Sequence, residues 1–199
     1  MSSGPTLNTT TRFFRDHYLW RHFEPNLRAY KDRVQHIWSI GCSTGQEPCS
    51  AAIIARNAGC RVEILATDIL QSNIEHAMIG EYTDKALDAF NIDIIKHFER
   101  KGRGWRITGF PVTFRQMDIT EYRHVGEPKY DFIFCRNVLM HLTEENVKVV
   151  MFNIIKALRT GGWLYVGKGE KYPTQYPQLL QMGYTMYQKK EPFYDKTDD

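Results

Sequence analysis

Gly41-Cys42-Ser43-Thr44-Gly45-Gln46-Glu47-Pro48 is the stretch that decides how this chain folds. The residues before it, Val34 to Gly41, read as a β-strand. After it, Glu47 and Pro48 open a helix, since proline is tolerated in a first turn where its missing N–H has no partner to lose. Ala51, Ala52, Ile53, Ile54 and Ala55 pack that helix and Gly59 ends it. A glycine-rich turn between a strand and a helix lets the backbone approach a ligand closely and take positive φ. The spacing is neither the G-x-G-x-x-G of dinucleotide folds nor a P-loop, because no Gly-Lys-Ser/Thr follows. Taken alone it is equally an ordinary tight turn.

Working outward, Arg61–Asp68 reads as a second strand, followed by a helix from about Ser72 to Met78 that stops at Gly80. Asp68 ends that strand some twenty residues beyond the glycine turn. An acid there can accept hydrogen bonds from both hydroxyls of a ribose, or can cap the helix that follows. Turn and acid together specify a nucleoside-bearing cofactor. Residues 112–118 read as a third strand, whose final Asp118 is placed to meet an adenine amino group. Residues 129–137, KYDFIFCRN, form the continuous apolar run of a strand buried on both faces. The clearest helix comes next. Thr143 caps it, Glu144 and Glu145 suit its positive end, and Val147, Val150, Met151, Ile154, Ile155 and Leu158 make one apolar stripe. Gly161-Gly162 is expected to end that helix and start a strand, and 183–194 to add an antiparallel partner. Between 81 and 110 we expect short helices near Lys85–Phe90 and Ile92–Arg100, then a loop with a short strand or hairpin. Strands alternating with helices predict an α/β fold on a mostly parallel sheet.

The 199 residues suit one domain, and 42% hydrophobic with 25% charged residues is ordinary for a soluble globular protein. No apolar run approaches the ~20 residues that cross a bilayer, and the first residues lack an apolar signal-peptide core. Cys42, Cys49, Cys60 and Cys135 form no C-x-x-C pair and no zinc-like spacing. We therefore expect free thiols, no structural metal and a cytoplasmic protein. A net charge of +3 says little, although arginine and lysine crowd residues 12–33 and 96–106.

The segments TRFFRD, IWSIGCSTGQEPCS, ILATDI, GEY, VTFRQMDI, YDFIFCRNV and GGWLYVGKGE occur in this order over residues 11–172. Together they resemble the CheR-type chemotaxis-receptor glutamate methyltransferases. Corresponding runs there are F-F-R-D, G-C-S-T-G-E-E-P-Y-S, A-T-D-I, F-C-R-N-V and a final G-G-x-L-x-x-G-x-x-E. The resemblance implies a class I S-adenosylmethionine-dependent methyltransferase fold, Rossmann-like. Its mostly parallel seven-stranded sheet would carry an antiparallel C-terminal strand. It implies S-adenosyl-L-methionine as methyl donor, S-adenosyl-L-homocysteine as product, and a protein glutamate as acceptor, as on a chemoreceptor cytoplasmic domain. Neither nucleic acid nor membrane insertion is implied. Cofactor contacts fall on Thr11, Arg15, Gly41, Ser43, Thr44, Gly45, Glu47, Asp68, Asp118, Ile119, Arg136 and Asn137. Arg15, Arg136 and His141 are the candidates for holding the acceptor. The expected layout is a leader at 1–10, a methyltransferase domain over 11–192 with a reduced insertion at about 81–111, and a tail at 193–199.

Departures from the family bear on the acceptor. Ten residues precede Thr11, where the family carries a basic helical domain. Gln46 and Cys49 replace the family's Glu and Tyr, His141 stands where a Tyr follows C-R-N-V, and G-H-S-E becomes Gly167-Lys168-Gly169-Glu170. A methyltransferase of the same fold with a small-molecule or different protein acceptor, and a catalytically silent cofactor-binding protein, are the alternatives. An N-P-P-Y turn for methylating amino groups and a Pro-Cys for cytosine C5 chemistry are both missing; Cys135 follows Phe134.

Overall fold

The computed structural model describes residues 11–87, 92–170 and 172–191. In chain order its elements begin with α1 (His17–Arg28), β1 (Gln35–Ile40), α2 (Gln46–Asn57), β2 (Val62–Asp68) and α3 (Gln71–Ile79). A small module follows: β3 (Glu81–Thr83), α4 (Asp84–Leu87), β4 (Glu99–Lys101) and β5 (Gly104–Arg106). The chain then returns through β6 (Val112–Gln116), β7 (Tyr130–Cys135), α5 (Glu144–Ala157), β8 (Leu158–Val166), β9 (Leu179–Gly183) and β10 (Met186–Lys189).

Seven strands form one sheet in the order β6-β2-β1-β7-β8-β10-β9. β6, β2, β1, β7 and β8 run parallel, and β10 lies antiparallel between β8 and β9. The expected architecture, with its antiparallel closing strand, is the observed one. From β1 the chain steps outward to β2 and β6, then crosses back to β7 on the other side of β1. The order therefore reverses between β1 and β7, and a crevice opens above their carboxyl ends.

Alternation along the strands feeds two cores. Ile37, Phe132 and Phe134 point to one face, where they meet Leu19, Trp20, Phe23 and Leu27 of α1 and Ile53 of α2. Trp38, Ile133 and Cys135 point to the other, against Val147, Val150, Met151 and Ile154 of α5. Every residue of β7 is buried. Burying each large side chain of this kind contributes about 1.5–3 kcal/mol.

Several boundaries differ from expectation. α1 was not anticipated; Asp16 precedes it in a left-handed conformation and Pro25 interrupts its pattern. The third strand ends at Gln116, so Asp118 sits in the turn beyond it. α5 has the expected stripe, and its Thr143 cap accepts from the Asn146 amide at 3.3 Å. It stops at Ala157, however, because Leu158 is already extended and pairs with Tyr130. Gly161 (φ 74) lies inside β8, where the β7 register shifts, so the glycine pair marks an irregularity in the strand and not its start. Residues 81–106 hold the short hairpin that was expected, extended by β3 into an antiparallel sheet of order β3-β5-β4. The second expected helix there is a 3-10 turn, Ile92–His97. Residues 88–90 of the first expected helix, the 1–10 leader and the 193–199 tail lie outside the described residues. No helix of the described residues is long and apolar enough to cross a membrane.

Candidate active site

A cavity of about 690 Å³ occupies the crevice where the strand order reverses. Its floor is the glycine turn. Gly41, Ser43 and Gly45 all have positive φ, at 67°, 49° and 93°, which curls the backbone between β1 and α2. At Gly41 a β-carbon would stand 2.4 Å from Val138 Cγ2, so only glycine lets the two loops interlock. Ser43 takes the left-handed conformation without that excuse, and such residues persist where their surroundings hold them. Here the holder is Asp68, whose Oδ2 accepts from the Ser43 amide at 2.8 Å. Its Oδ1 accepts from the Leu70 amide and from Asn73 Nδ2, both at 3.0 Å. Asp68 thus ties the turn that leads into α3 to the glycine turn, and it lines the cavity.

At the end of β7, Arg136 is buried with two carboxylates on one guanidinium. Nη1 donates to Glu47 Oε2 at 3.0 Å, and Nη2 pairs with Asp16 Oδ2 and reaches the Arg15 carbonyl at 3.3 Å. Glu47 Oε1 accepts from Ser39 Oγ of β1 at 2.8 Å. Arg136 was expected to offer its charge to a ligand carboxylate. That charge is instead already matched inside the protein, because α2 and the segment before α1 both bring an acid to it. Asp16 escaped sequence reading, since nothing local marks a partner 120 residues away.

The Thr11–Arg15 run precedes α1. Left-handed Phe14 (φ 50) and Asp16 (φ 62) make it an irregular turn, and α1 begins only at His17. Its aromatic anchors are in place. Phe13 meets the rings of Tyr82 and Phe98 edge-on at 4.9 and 5.1 Å, and the Phe14 amide donates to Ser50 Oγ at 2.9 Å. Thr11 and Arg15 therefore reach the cavity wall although they precede β1.

From the glycine turn, Gly41, Ser43 and Glu47 line the cavity; from the ends of the second and third strands, Asp68, Asp118 and Ile119 do so. Asp118 is fixed by its own turn, with Oδ1 accepting from the Thr120 amide and hydroxyl at 2.8 and 2.7 Å. Beyond β7, Arg136, Asn137 and His141 complete the wall. Thr44 and Gly45 do not line it. They face the other side of the turn: the Thr44 carbonyl accepts from Tyr82 Oη at 2.9 Å, and Gly45 sits against Ala77 and Tyr82. The structure adds Arg12, Asn73, Met117 and Asn146, which the sequence had not marked as site residues.

Two buried polar atoms at the site, Ser43 Oγ and Arg136 Nε, have no partner among the described residues. Carboxylates of Glu47, Asp68 and Asp118, the arginines Arg12 and Arg15, and apolar Ile40, Met117 and Ile119 share the wall. This set fits a ligand with a cationic portion, a ribose and a flat ring. Thiol chemistry is disfavoured. Burial pushes the Cys135 thiol well above its ordinary value, with Glu170 and Glu47 adding to it, and burial likewise raises Cys42. Among the described residues no three His, Cys, Asp or Glu side chains gather as a metal-holding group.

Comparison with known proteins gives the family of the chain. The family model for the CheR methyltransferase SAM-binding domain matches residues 9–187. A chemotaxis protein methyltransferase from Listeria innocua is 33% identical over 177 residues, covering 83% of this chain and 66% of the relative. Chemotaxis protein methyltransferase 1 of Pseudomonas aeruginosa is 32% identical over 180 residues, covering 80% and 65%. The chain spans just under two thirds of the length of these relatives. Among solved structures, a SAM-dependent methyltransferase from Methanosarcina mazei aligns over 75% of this chain and 61% of that one at 15% identity, with a TM-score of 0.47, too loose to bear on the site. With its motifs, its sheet order and its match over residues 9–187, the chain belongs to the CheR methyltransferase family, whose domain binds S-adenosylmethionine.

Proposed function

We propose that this chain moves the methyl group of S-adenosylmethionine onto a carboxylate oxygen of a protein glutamate, in the cytoplasm, with a chemoreceptor segment as acceptor. The observation that carries the reading is the cavity at the strand reversal, where the glycine turn, Asp68 and the Arg136–Glu47 pair meet in a chain of this family.

Each residue has a part in it. Asp68, which lines the cavity, accepts from the ribose hydroxyls. Asp118 and Ile119 hold the adenine, one by its amino group and the other by its face. Glu47 attracts the cationic amino-acid end, and Thr11, Ser43 and Asn137 border it. Because Arg136 is committed to Glu47 and Asp16, we assign the acceptor carboxylate to Arg15 and His141, and leave Arg136 to hold Glu47 in place. Thr44 and Gly45 shape the turn from outside the cavity. When bound, the cofactor supplies an electrophilic methyl carbon: the oxygen–carbon bond forms as the carbon–sulfur bond breaks, and its electron pair stays on sulfur. The acceptor is already an anion at neutral pH, so no residue has to remove a proton. Alignment for in-line attack is what the protein contributes.

Esters hydrolyse in mild alkali, whereas methylated nitrogens do not. Protein incubated with methyl-labelled cofactor and receptor-containing lysate should yield labelled protein that releases volatile methanol on alkaline treatment. Label that survives alkali rejects the carboxylate acceptor.

A further inference from the structure

Glu170 does not line the cavity, yet it is buried, with 5% exposure, directly behind the cavity wall. Both of its oxygens face main-chain amides. The Gly167 and Asn137 amides donate to Oε2 at 2.5 and 3.1 Å, and the Met140 amide donates to Oε1 at 3.3 Å. These donors belong to two segments, the turn after β8 and the turn that leaves β7. The first is shaped for the contact. The Glu170 amide donates back to the Gly167 carbonyl at 3.2 Å, and Gly169 takes φ 88. A β-carbon on Gly167 would stand 2.5 Å from Glu170 Oε2 and 2.7 Å from the Asn137 nitrogen.

The second segment is the cavity wall. Asn137 has φ 58, in the left-handed region that asparagine enters more readily than most side chains, and its amide points to Glu170 Oε2. Val138 interlocks with Gly41, and the His141 amide donates to the Val138 carbonyl at 3.0 Å, which makes one unit of Asn137 to His141. Hydrogen bonds to an ionised carboxylate are roughly twice as strong as neutral ones. No other side chain bonds the Asn137 or Met140 amides among the described residues.

We propose that Glu170 is a positioning residue for methyl transfer: its carboxylate sets the backbone of Asn137–Met140, and through it places Asn137, Val138 and His141 against the glycine turn. This rests on the reading of the cavity as the cofactor site. Glu170→Gln keeps the shape but turns one acceptor into a donor that faces an N–H. In the protein without ligand, amide hydrogen exchange over 136–142 should rise about tenfold or more, while α2 and the other strands keep their protection. The Kd for S-adenosylhomocysteine, titrated well below the unfolding temperature, should rise about tenfold. Asp131→Asn, at the opposite end of β7, serves as the matched control: it should lower Tm and leave both readouts alone. Should Glu170→Gln not fold, Gly167→Ala displaces the same carboxylate and should loosen the same segment. Unchanged exchange over 136–142 overturns the proposal, as does a loosened segment with an unchanged Kd. Wild-type protein that does not bind S-adenosylhomocysteine defeats the cofactor reading and, with it, the link from Glu170 to methyl transfer; the exchange pattern still decides whether Glu170 holds the segment.

Discussion

Each end of β7 carries a charge cluster centred on a buried group, and the two are built on opposite ratios. At the start of the strand one carboxylate takes two guanidiniums. Asp131 accepts from Arg33 at 2.6 and 3.0 Å, from Arg159 at 3.0 Å, and from the His36 amide at 2.8 Å. At the far end one guanidinium, Arg136, takes the carboxylates of Glu47 and Asp16. The Arg33 and Arg159 side chains are 43% and 37% exposed, so water absorbs the surplus positive charge. The Arg136 side chain is 4% exposed and its acids 22% and 15%, so the surplus negative charge sits at the edge of a cavity. The first cluster staples the starts of β1, β7 and β8 together. The second stands at the wall of the cavity, which Glu47 and Arg136 both line. The same residue types serve either end, and the ratio and the burial decide between holding the fold and poising it for a ligand.

The sharpest way to break the comparison is Arg136→Gln. It leaves Glu47 and Asp16 facing each other with little water, and unfolding in urea should show a loss of about 3–5 kcal/mol. A loss under about 1 kcal/mol would mean the two acids find solvent, and that the site end is no more demanding than the base.

Asp131→Asn comes next, with an expected loss of about 2–3 kcal/mol and an unchanged affinity for S-adenosylhomocysteine by calorimetry. It also has a pH signature. Burial opposes ionisation of Asp131, but the bonds from Arg33, the His36 amide and Arg159 outweigh it and hold the carboxyl below its ordinary value. A depressed folded-state pKa contributes stability that is fully present above the free-carboxyl value near 3.9 and is lost as pH falls through the folded value. The wild type should therefore converge on Asp131→Asn in acid and exceed it at neutral pH; a gap that stays constant with pH would remove the anion from the account.

A milder change tests the surplus charge itself. Asp16→Asn leaves Arg136 with Glu47 alone and should cost about 1 kcal/mol of stability. S-adenosylmethionine carries a sulfonium charge that S-adenosylhomocysteine lacks. Its Kd should rise roughly two- to fivefold more than that of the product analogue. Equal effects on both ligands would show that the cluster positions the site without acting on charge. The smallest effect is expected from Arg159→Met, about 0.5 kcal/mol by thermal unfolding, because Arg33 still pairs with Asp131 and the lost arginine is more than a third exposed.

How much of this was legible depends on the range of the interaction. Thr143, Glu144 and the stripe from Val147 to Ile155 marked α5, since capping and helical period both act within a few residues. The glycine turn and Asp68 marked the crevice for the same reason: each lies at the end of a strand that could be seen. α1 went unseen. Leu19, Trp20, Phe23 and Leu27 have the spacing, but Pro25 lies among them and the chain before it turns left-handed. The strands of the small sheet are three residues each, too few for a period of two to show. At the site, most of the residues named from the family's motifs line the cavity; Thr44 and Gly45 do not, and Arg12, Asn73, Met117 and Asn146 join the lining without having been named.

What the sequence determined by itself is the class of fold, the turn that needs glycine, the acid at the end of β2 and the family to which they belong. These follow from backbone sterics and hydrophobic period, which each short segment carries within itself. Only the tertiary structure decided the partners of the charges. It set Asp16 and Glu47 on Arg136, two arginines on Asp131, and the Glu170 carboxylate behind Asn137. A carboxylate has no local preference for one distant cation over another. Its partner is whichever donor the packed sheet brings within about 3 Å after water has been driven out, and that donor lies tens of residues away in the chain.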